Sequence, residues 1–452
     1  MRVRKQQLYT GVLFLLIAAS LLLWNAFIPV FEAADEPGYY QHVYFLATEK
    51  KLPNLNDKFE QAGVNTYPPL YYLPLTPLVR VFNPPSIYDS QAMQMRSDRR
   101  EGFRHESFNW FDHTTDEIHF KWDRLQLTVH LMRLWSSLLG LGTVFLIYLS
   151  GLIYFKNRSL SIIASMFIGF NPMFNHLHST IIILPLLIFI GSLIFYLLIK
   201  CKKSTLQNSF ILGGLVGLSV ITKIQGIAFV PISVIWILWK SWKEGRLVWM
   251  KKVLGFLLAF LAFAAWWYLR NLKLYGNILA IDNFVFATGT RASMPELMGL
   301  VNYWVGFFTS QFATFWTGYG WAAVYFSNKI QNILLGLVLF SILKVITDLG
   351  RLSDGKKDLA IFLIGSSVFF ESSLLIAHIK FPVFHAKDLF PVIVPIALLL
   401  VSGWHSLFKS KFDMAKLQPS QIIIIGLLLF LINSAYLLID VSPKLTGTYP
   451  LF

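Results

Sequence analysis

Long apolar runs separated by brief basic clusters set the pattern of this chain. They fall at about 8–30, 127–155, 160–176, 180–199, 209–223, 225–240, 252–270, 329–346, 358–378, 389–408 and 420–440. Runs of this length read as helices that cross ~30 Å of hydrocarbon. The pattern predicts an all-α polytopic membrane protein with about eleven transmembrane helices, a single integral membrane domain over 1–452. The run 70–82 is short and interrupted by Pro74 and Pro77 after Pro68 and Pro69, so it reads as re-entrant or interfacial.

Composition agrees. With 55% hydrophobic and 14% charged residues, the chain has too little polar surface for a water-soluble body of 452 residues. Its one cysteine, Cys201, excludes an internal disulfide framework and a thiolate metal cluster. The first run follows Arg2, Arg4 and Lys5 and shows no small-x-small cleavage site, so an uncleaved anchor with a cytosolic N-terminus is expected. With that orientation the cytosolic segments hold a large excess of Lys and Arg and the opposite side is balanced, so the net charge of +15 falls on one side. The basic character then reports orientation and anionic headgroups, which removes the main support for nucleic-acid binding. A multi-pass protein of the cell membrane is expected, with function sought in the outer segments 31–126 and 271–328 and the short one at 379–388.

Several polar positions in or beside apolar runs stand out. Asp35 and Glu36 adjoin the first run and precede Pro37. One reading is a helix opening, since acids and proline suit a first turn. The other is a reactive carboxylate at the lip of the bilayer, able to meet a substrate with its tail in lipid and its head in water. Tyr39 to Leu46 carries aromatics at helical spacing and predicts a helix on the membrane surface, ending near Leu52-Pro53. Lys223 lies between two apolar runs and needs a counter-charge, which a bound phosphate would supply. Glu371 in 358–378 needs a partner too, from nearby serines or a basic residue. Asp282 and Glu296 are candidates for acceptor contact. His176 and His178, two residues apart with no nearby acid, fit local turn chemistry better than a metal site. No metal or cofactor is assigned, and a divalent ion has no support in the sequence. No P-loop, GxSxG, HExxH or dinucleotide fingerprint occurs.

The ordered segments carry a resemblance. An acidic pair after the first run, then Tyr67-Pro68-Pro69-Leu70-Tyr71-Tyr72, then Arg133-Leu134-Trp135-Ser136 are followed by Gly217 to Lys223 with its Thr-Lys end. Trp266-Trp267-Tyr268-Leu269-Arg270-Asn271 with Tyr275-Gly276, Phe315 to Trp321, and Leu389-Phe390-Pro391 complete the series. In this order they resemble the lipid-linked sugar transferases of the GT-C fold, in the protein mannosyltransferase and aminoarabinose transferase branch, with related uncharacterised bacterial membrane proteins. The chain departs from that pattern at Asn171 to Thr180, where an acid would be expected, at Lys387-Asp388 in place of Arg-Tyr, and at Tyr67 in place of lysine.

The resemblance implies an inverting glycosyltransferase that moves a sugar from a polyprenyl-phosphate carrier to an envelope glycan, lipid or protein on the extracytoplasmic face. Such a reaction needs a base, cations for the phosphate leaving group and a groove for the isoprenoid. Asp35 is then expected as base, with Glu36 orienting hydroxyls. Lys223, Arg270, Lys387 and His385 are expected at the donor phosphate, with Lys380 less central. His42, Tyr67, Tyr71, Tyr72 and Glu371 are expected at substrate. Two other readings stay open: an inactive relative acting as a lipid-binding scaffold in envelope polysaccharide assembly, and a transporter or flippase for a lipid-linked sugar.

Overall fold

The computed structural model describes residues 2–57, 59, 64–87, 108–280, 299–380 and 385–448. These residues form an all-helical bundle. Among them, eight helices are long and apolar enough to cross a membrane: Leu8–Phe27, Arg124–Phe155, Ile224–Glu244, Arg246–Tyr275, Asn328–Arg351, Asp354–Leu375, Ala386–Phe408 and Pro419–Thr446. Three further expected spans appear as the shorter apolar helices Arg158–Gly169, Leu184–Lys200 and Leu206–Val220. The chain is a membrane protein. The run 70–82 forms a short 3-10 turn, Leu73–Leu75, and a helix, Thr76–Phe82. Asp282 and Glu296 lie outside the described residues, as does the side chain of Lys380.

Helices that matter for the site are named here in chain order: α1 (Arg2–Phe27), α2 (Glu36–Glu49), α3 (Thr76–Phe82), α4 (Arg124–Phe155), α5 (Arg158–Gly169), α6 (Pro172–Leu177), α7 (Leu184–Lys200), α8 (Leu206–Val220), α9 (Arg246–Tyr275), α10 (Leu300–Trp316), α11 (Asp354–Lys380) and α12 (Pro419–Tyr436). Local chemistry sets their starts. Asp123 caps α4 by accepting from Gln126 N at 2.8 Å while Gln126 Oε1 accepts from Asp123 N at 3.0 Å, a reciprocal capping box. Asn157 caps α5 and Asn171 caps α6 ahead of Pro172, each accepting at 3.0 Å from the amide three residues on.

Packing follows small residues. A Cβ on Gly213 would lie 2.1 Å from Phe256 O, and one on Gly217 would lie 2.8 Å from Phe260 O. Glycine one turn apart on α8 thus lets the α9 backbone approach, the small-residue device by which membrane helices associate without a strong hydrophobic drive. The motif Gly217 to Lys223 owes its first position to this contact.

The helix α2 corrects one expectation. Its residues Tyr39, Tyr40, His42, Val43, Leu46 and Ala47 are buried, so its apolar face packs on protein and not on lipid. The cover is the 64–82 segment. Helical spacing of aromatics marks an apolar face, and what fills that face is a tertiary matter.

Candidate functional site

Asp35 and Glu36 sit at the join of α1 and α2, and they have different surroundings. Asp35 is the N-cap residue of α2 with φ 70°, its side chain makes no capping bond, and it is partly exposed. Asp tolerates this left-handed conformation better than most residues, and holding it there requires a firm frame.

Glu36 supplies that frame. It is fully buried. Its carboxylate accepts from Phe31 N at 3.0 Å, Ile181 N at 2.8 Å, Arg133 Nε at 2.8 Å and Arg133 Nη2 at 2.6 Å. Arg133, also fully buried, spends its other N–H groups on the carbonyls of Ile28 at 2.6 Å and Pro29 at 2.9 Å. The forked ion pair therefore ties the end of α1, the start of α2, α4 and the 181 strand of chain into one unit. With its acceptor capacity taken by protein donors, Glu36 does not orient substrate hydroxyls. Arg133 is the residue that reading by sequence left without a role. A lone guanidinium inside a long apolar run demands a partner, and that signal was available.

A second network braces the same junction. His113, its side chain 1% exposed, lies between two carboxylates, with Nε2 3.0 Å from Glu32 Oε1 and Nδ1 2.9 Å from Glu117 Oε2. Glu32 also accepts from Trp110 N and Phe111 N, and Glu117 from Val30 N at 2.8 Å. Burial alone would depress the imidazole, but its two carboxylate partners outweigh that and push it up to about 9, so it is an imidazolium at neutral pH. Burial opposes ionisation of Glu117, yet His113 and Val30 N hold that carboxyl below its usual range.

The expected aromatics divide into two groups. Tyr71 turns inward, its hydroxyl 2.7 Å from Ser136 Oγ and accepting from Ile182 N at 3.2 Å. It fixes the turn against α4 and is not available to substrate. Tyr67, Tyr39, Tyr72 and His42 instead form a stacked row, with ring centroids 6.1 Å, 6.1 Å and 4.0 Å apart in that order. Burial pushes the Tyr39 and Tyr67 hydroxyls up, and the charges of Asp35 and Asp388 push them the same way. Both carboxylates are thus within electrostatic reach of the tyrosine end. At the other end, His42 is held neutral, pushed down to about 3 by burial and by the charge of Arg270, although Nδ1 lies 3.1 Å from Val64 O. His42 Nε2 and the Tyr72 hydroxyl are buried without a partner.

The cations are placed as follows. Lys387 and His385 line a small cleft of about 30 Å³ together with Ala33, Ala34, His176, Thr180 and Gly320. They therefore face the stretch that ends at Asp35. Arg270 rests over Trp267, 4.9 Å from the ring centroid, and donates from Nη2 to Pro53 O at 2.6 Å, while Nη1 is buried without a partner. Lys223 departs from expectation. Its ammonium pairs with Asp388 at 2.8 Å, so the chain itself supplies a counter-charge. Asp388 thereby anchors this segment to Lys223. Glu371, on α11, keeps Oε2 buried without a partner and lies within electrostatic reach of Asp388. His176 meets the edges of the Trp24 and Tyr319 rings, consistent with a packed turn. Among the described residues no group of three or more His, Cys, Asp or Glu is arranged to hold a metal ion.

No family model matches the chain, and no curated protein matches it. Solved structures similar to it include ArnT from Cupriavidus metallidurans bound to undecaprenyl phosphate, at 12% identity and a TM-score of 0.49, covering 97% of this chain and 74% of that one. The Archaeoglobus fulgidus oligosaccharyltransferase is similar at 12% identity and a TM-score of 0.44, over 97% of this chain and 56% of that one. The Saccharomyces cerevisiae protein O-mannosyltransferase Pmt1-Pmt2 complex bound to the sugar donor is similar at 16% identity and a TM-score of 0.34, over 68% of this chain and 35% of that one.

Proposed function

We propose that this protein is a GT-C type glycosyltransferase that moves a sugar from a polyprenyl-phosphate carrier to an acceptor on the extracytoplasmic face. The observation that carries the reading is the setting of Asp35. It is a partly exposed carboxylate in a left-handed conformation, fixed by the buried Glu36–Arg133 pair and set beside a cleft lined by Lys387 and His385. A base on one side and cations on the other is what a displacement at an anomeric carbon requires.

In this mechanism Asp35 takes the proton of the acceptor hydroxyl as that oxygen forms its bond to the anomeric carbon. The bond from that carbon to the phosphate oxygen breaks on the opposite face, and the phosphate leaves with the electron pair. Inversion follows. Lys387 and His385 meet the departing charge, and Lys223, through Asp388, positions the segment that carries them. Arg270 Nη1 is a donor, and His42 Nε2, in the neutral tautomer that donates from Nδ1 to Val64 O, is an acceptor; both are unpartnered and meet the pyranose or carrier at the far end of the aromatic row. Glu371 Oε2, within electrostatic reach of Asp388, is an acceptor toward the tyrosine end of the row.

The acceptor and the sugar are to be found by assay with membranes and radiolabelled lipid-linked sugars. Asp35→Asn is expected to lower transfer by roughly 10²-fold or more, the contribution of a positioned base, while expression and melting stay as in the wild type. Unchanged transfer removes Asp35 as base. The turn Asn171 to Thr180, which holds no acid, favours a second reading in which the protein is an inactive lipid-binding scaffold. That reading gains if the wild type transfers no sugar while Asp35→Asn supports envelope polysaccharide assembly in cells.

A further inference from the structure

A second cleft, of about 220 Å³, lies at the opposite end of α1 from Asp35. It is lined by Tyr9 and Leu13 of α1, Arg158, Ser159 and Ile162 of α5, and the 415–422 segment that opens α12. Tyr9 and Phe27 are eighteen positions apart on one helix, which places the two clefts ~27 Å apart, close to the thickness of a hydrocarbon core.

Its walls are amphipathic. Leu13, Ile162 and Ile422 are buried and form an apolar floor. The mouth holds Arg158, Lys416, Tyr9, Ser159 and Gln418, and among the described residues no acidic one lines it. Arg158 donates from Nη2 to Thr10 Oγ1 at 2.8 Å, but its Nε is buried without a partner. A guanidinium N–H kept from water and left unbonded costs free energy, and an anionic acceptor would recover it. Lys416 is 84% exposed and reaches Asp413 only at 3.6 Å, which leaves its ammonium able to turn toward the mouth. The cleft is itself pinned by the bundle, since Asn157 Nδ2 donates to Ala415 O at 3.0 Å and Ser159 Oγ to Leu417 O at 3.3 Å.

We infer that this cleft binds the phosphodiester headgroup of an anionic glycerophospholipid from the adjacent leaflet. Arg158 Nε and the Lys416 ammonium meet the phosphate, Tyr9, Ser159 and Gln418 meet the glycerol, and the start of an acyl chain lies on Leu13, Ile162 and Ile422. The volume equals about seven waters at ~30 Å³ each, enough for a phosphoglycerol unit. Charge on one wall and a hydrocarbon floor on the other select a lipid over a free anion.

The test uses the delipidated full-length protein in neutral detergent, titrated with dioctanoyl phosphatidylglycerol, dioctanoyl phosphatidylcholine and inorganic phosphate, with binding read by native mass spectrometry. Phosphatidylglycerol is expected to bind the wild type, and Arg158→Gln to weaken that binding by roughly tenfold or more, the effect of losing a charge-assisted hydrogen bond. Lys416→Gln, an exposed change that leaves packing intact, is expected to weaken it a few-fold by losing one headgroup charge. Equal binding of phosphatidylcholine overturns the charge selection. Binding of inorganic phosphate as tight as that of the lipid overturns the lipid assignment, and unchanged binding in both variants overturns the site.

Discussion

Replacing His113 with glutamine tests the brace at the α1–α2 junction. Glutamine keeps a hydrogen-bonding head of similar reach but removes the charge. His113 stands between Glu32 and Glu117 at 3.0 and 2.9 Å, its side chain 1% exposed. Its imidazole is pushed up to about 9 against an ordinary 6.5. At 1.36 kcal/mol per decade this is about 3 kcal/mol of stability. Removing one partner from a buried ion pair costs a similar ~3–5 kcal/mol. Because the folded-state value is raised, this stability is fully present below 6.5 and is lost as the pH rises through about 9. Equilibrium unfolding in mixed micelles, followed by tryptophan fluorescence at several pH values, measures it. His113→Gln is expected to unfold about 3 kcal/mol more easily than the wild type at pH 6.5, and the gap is expected to narrow by pH 10. A gap under ~1 kcal/mol at pH 6.5, or one unchanged between the two pH values, refutes the imidazolium between two carboxylates.

Two further outcomes follow from the geometry. Lys387→Gln is expected to lower the transfer rate by roughly 10²-fold with thermal stability unchanged, because the side chain lines a cleft and, in the proposed reaction, meets the leaving-group charge; a loss of melting temperature in place of rate would make it structural. Gly213→Ala is expected to lower stability by about 1–3 kcal/mol with substrate affinity retained, since its Cβ would sit 2.1 Å from Phe256 O and push α8 from α9; wild-type unfolding would show that the helices give way.

Much of the scaffold could be read from the chain because hydrocarbon imposes a simple code. Runs such as Arg246–Tyr275 and Asn328–Arg351 emerge as long helices because each must satisfy its backbone internally. The short helices Arg158–Gly169, Leu184–Lys200 and Leu206–Val220 were visible as apolar runs, but their ends depend on caps such as Asn157 and on turns whose polar groups bond across the fold. Asp35 was marked by its position beside the first run. Its neighbour looked equivalent, and nothing local separates two adjacent acids before a proline.

What the sequence determined by itself is the class: a helical membrane protein, the order of its apolar segments and the few polar positions within them that need partners. Which partner each one has was decided by tertiary structure. Glu36 meets Arg133 from 97 positions away and Lys223 meets Asp388 from 165 positions away. The need for a counter-charge is local, arising from desolvation of one side chain, whereas its answer depends on where the bundle brings distant segments together. For that reason one carboxylate of the pair became a buried anchor and the other was left partly exposed.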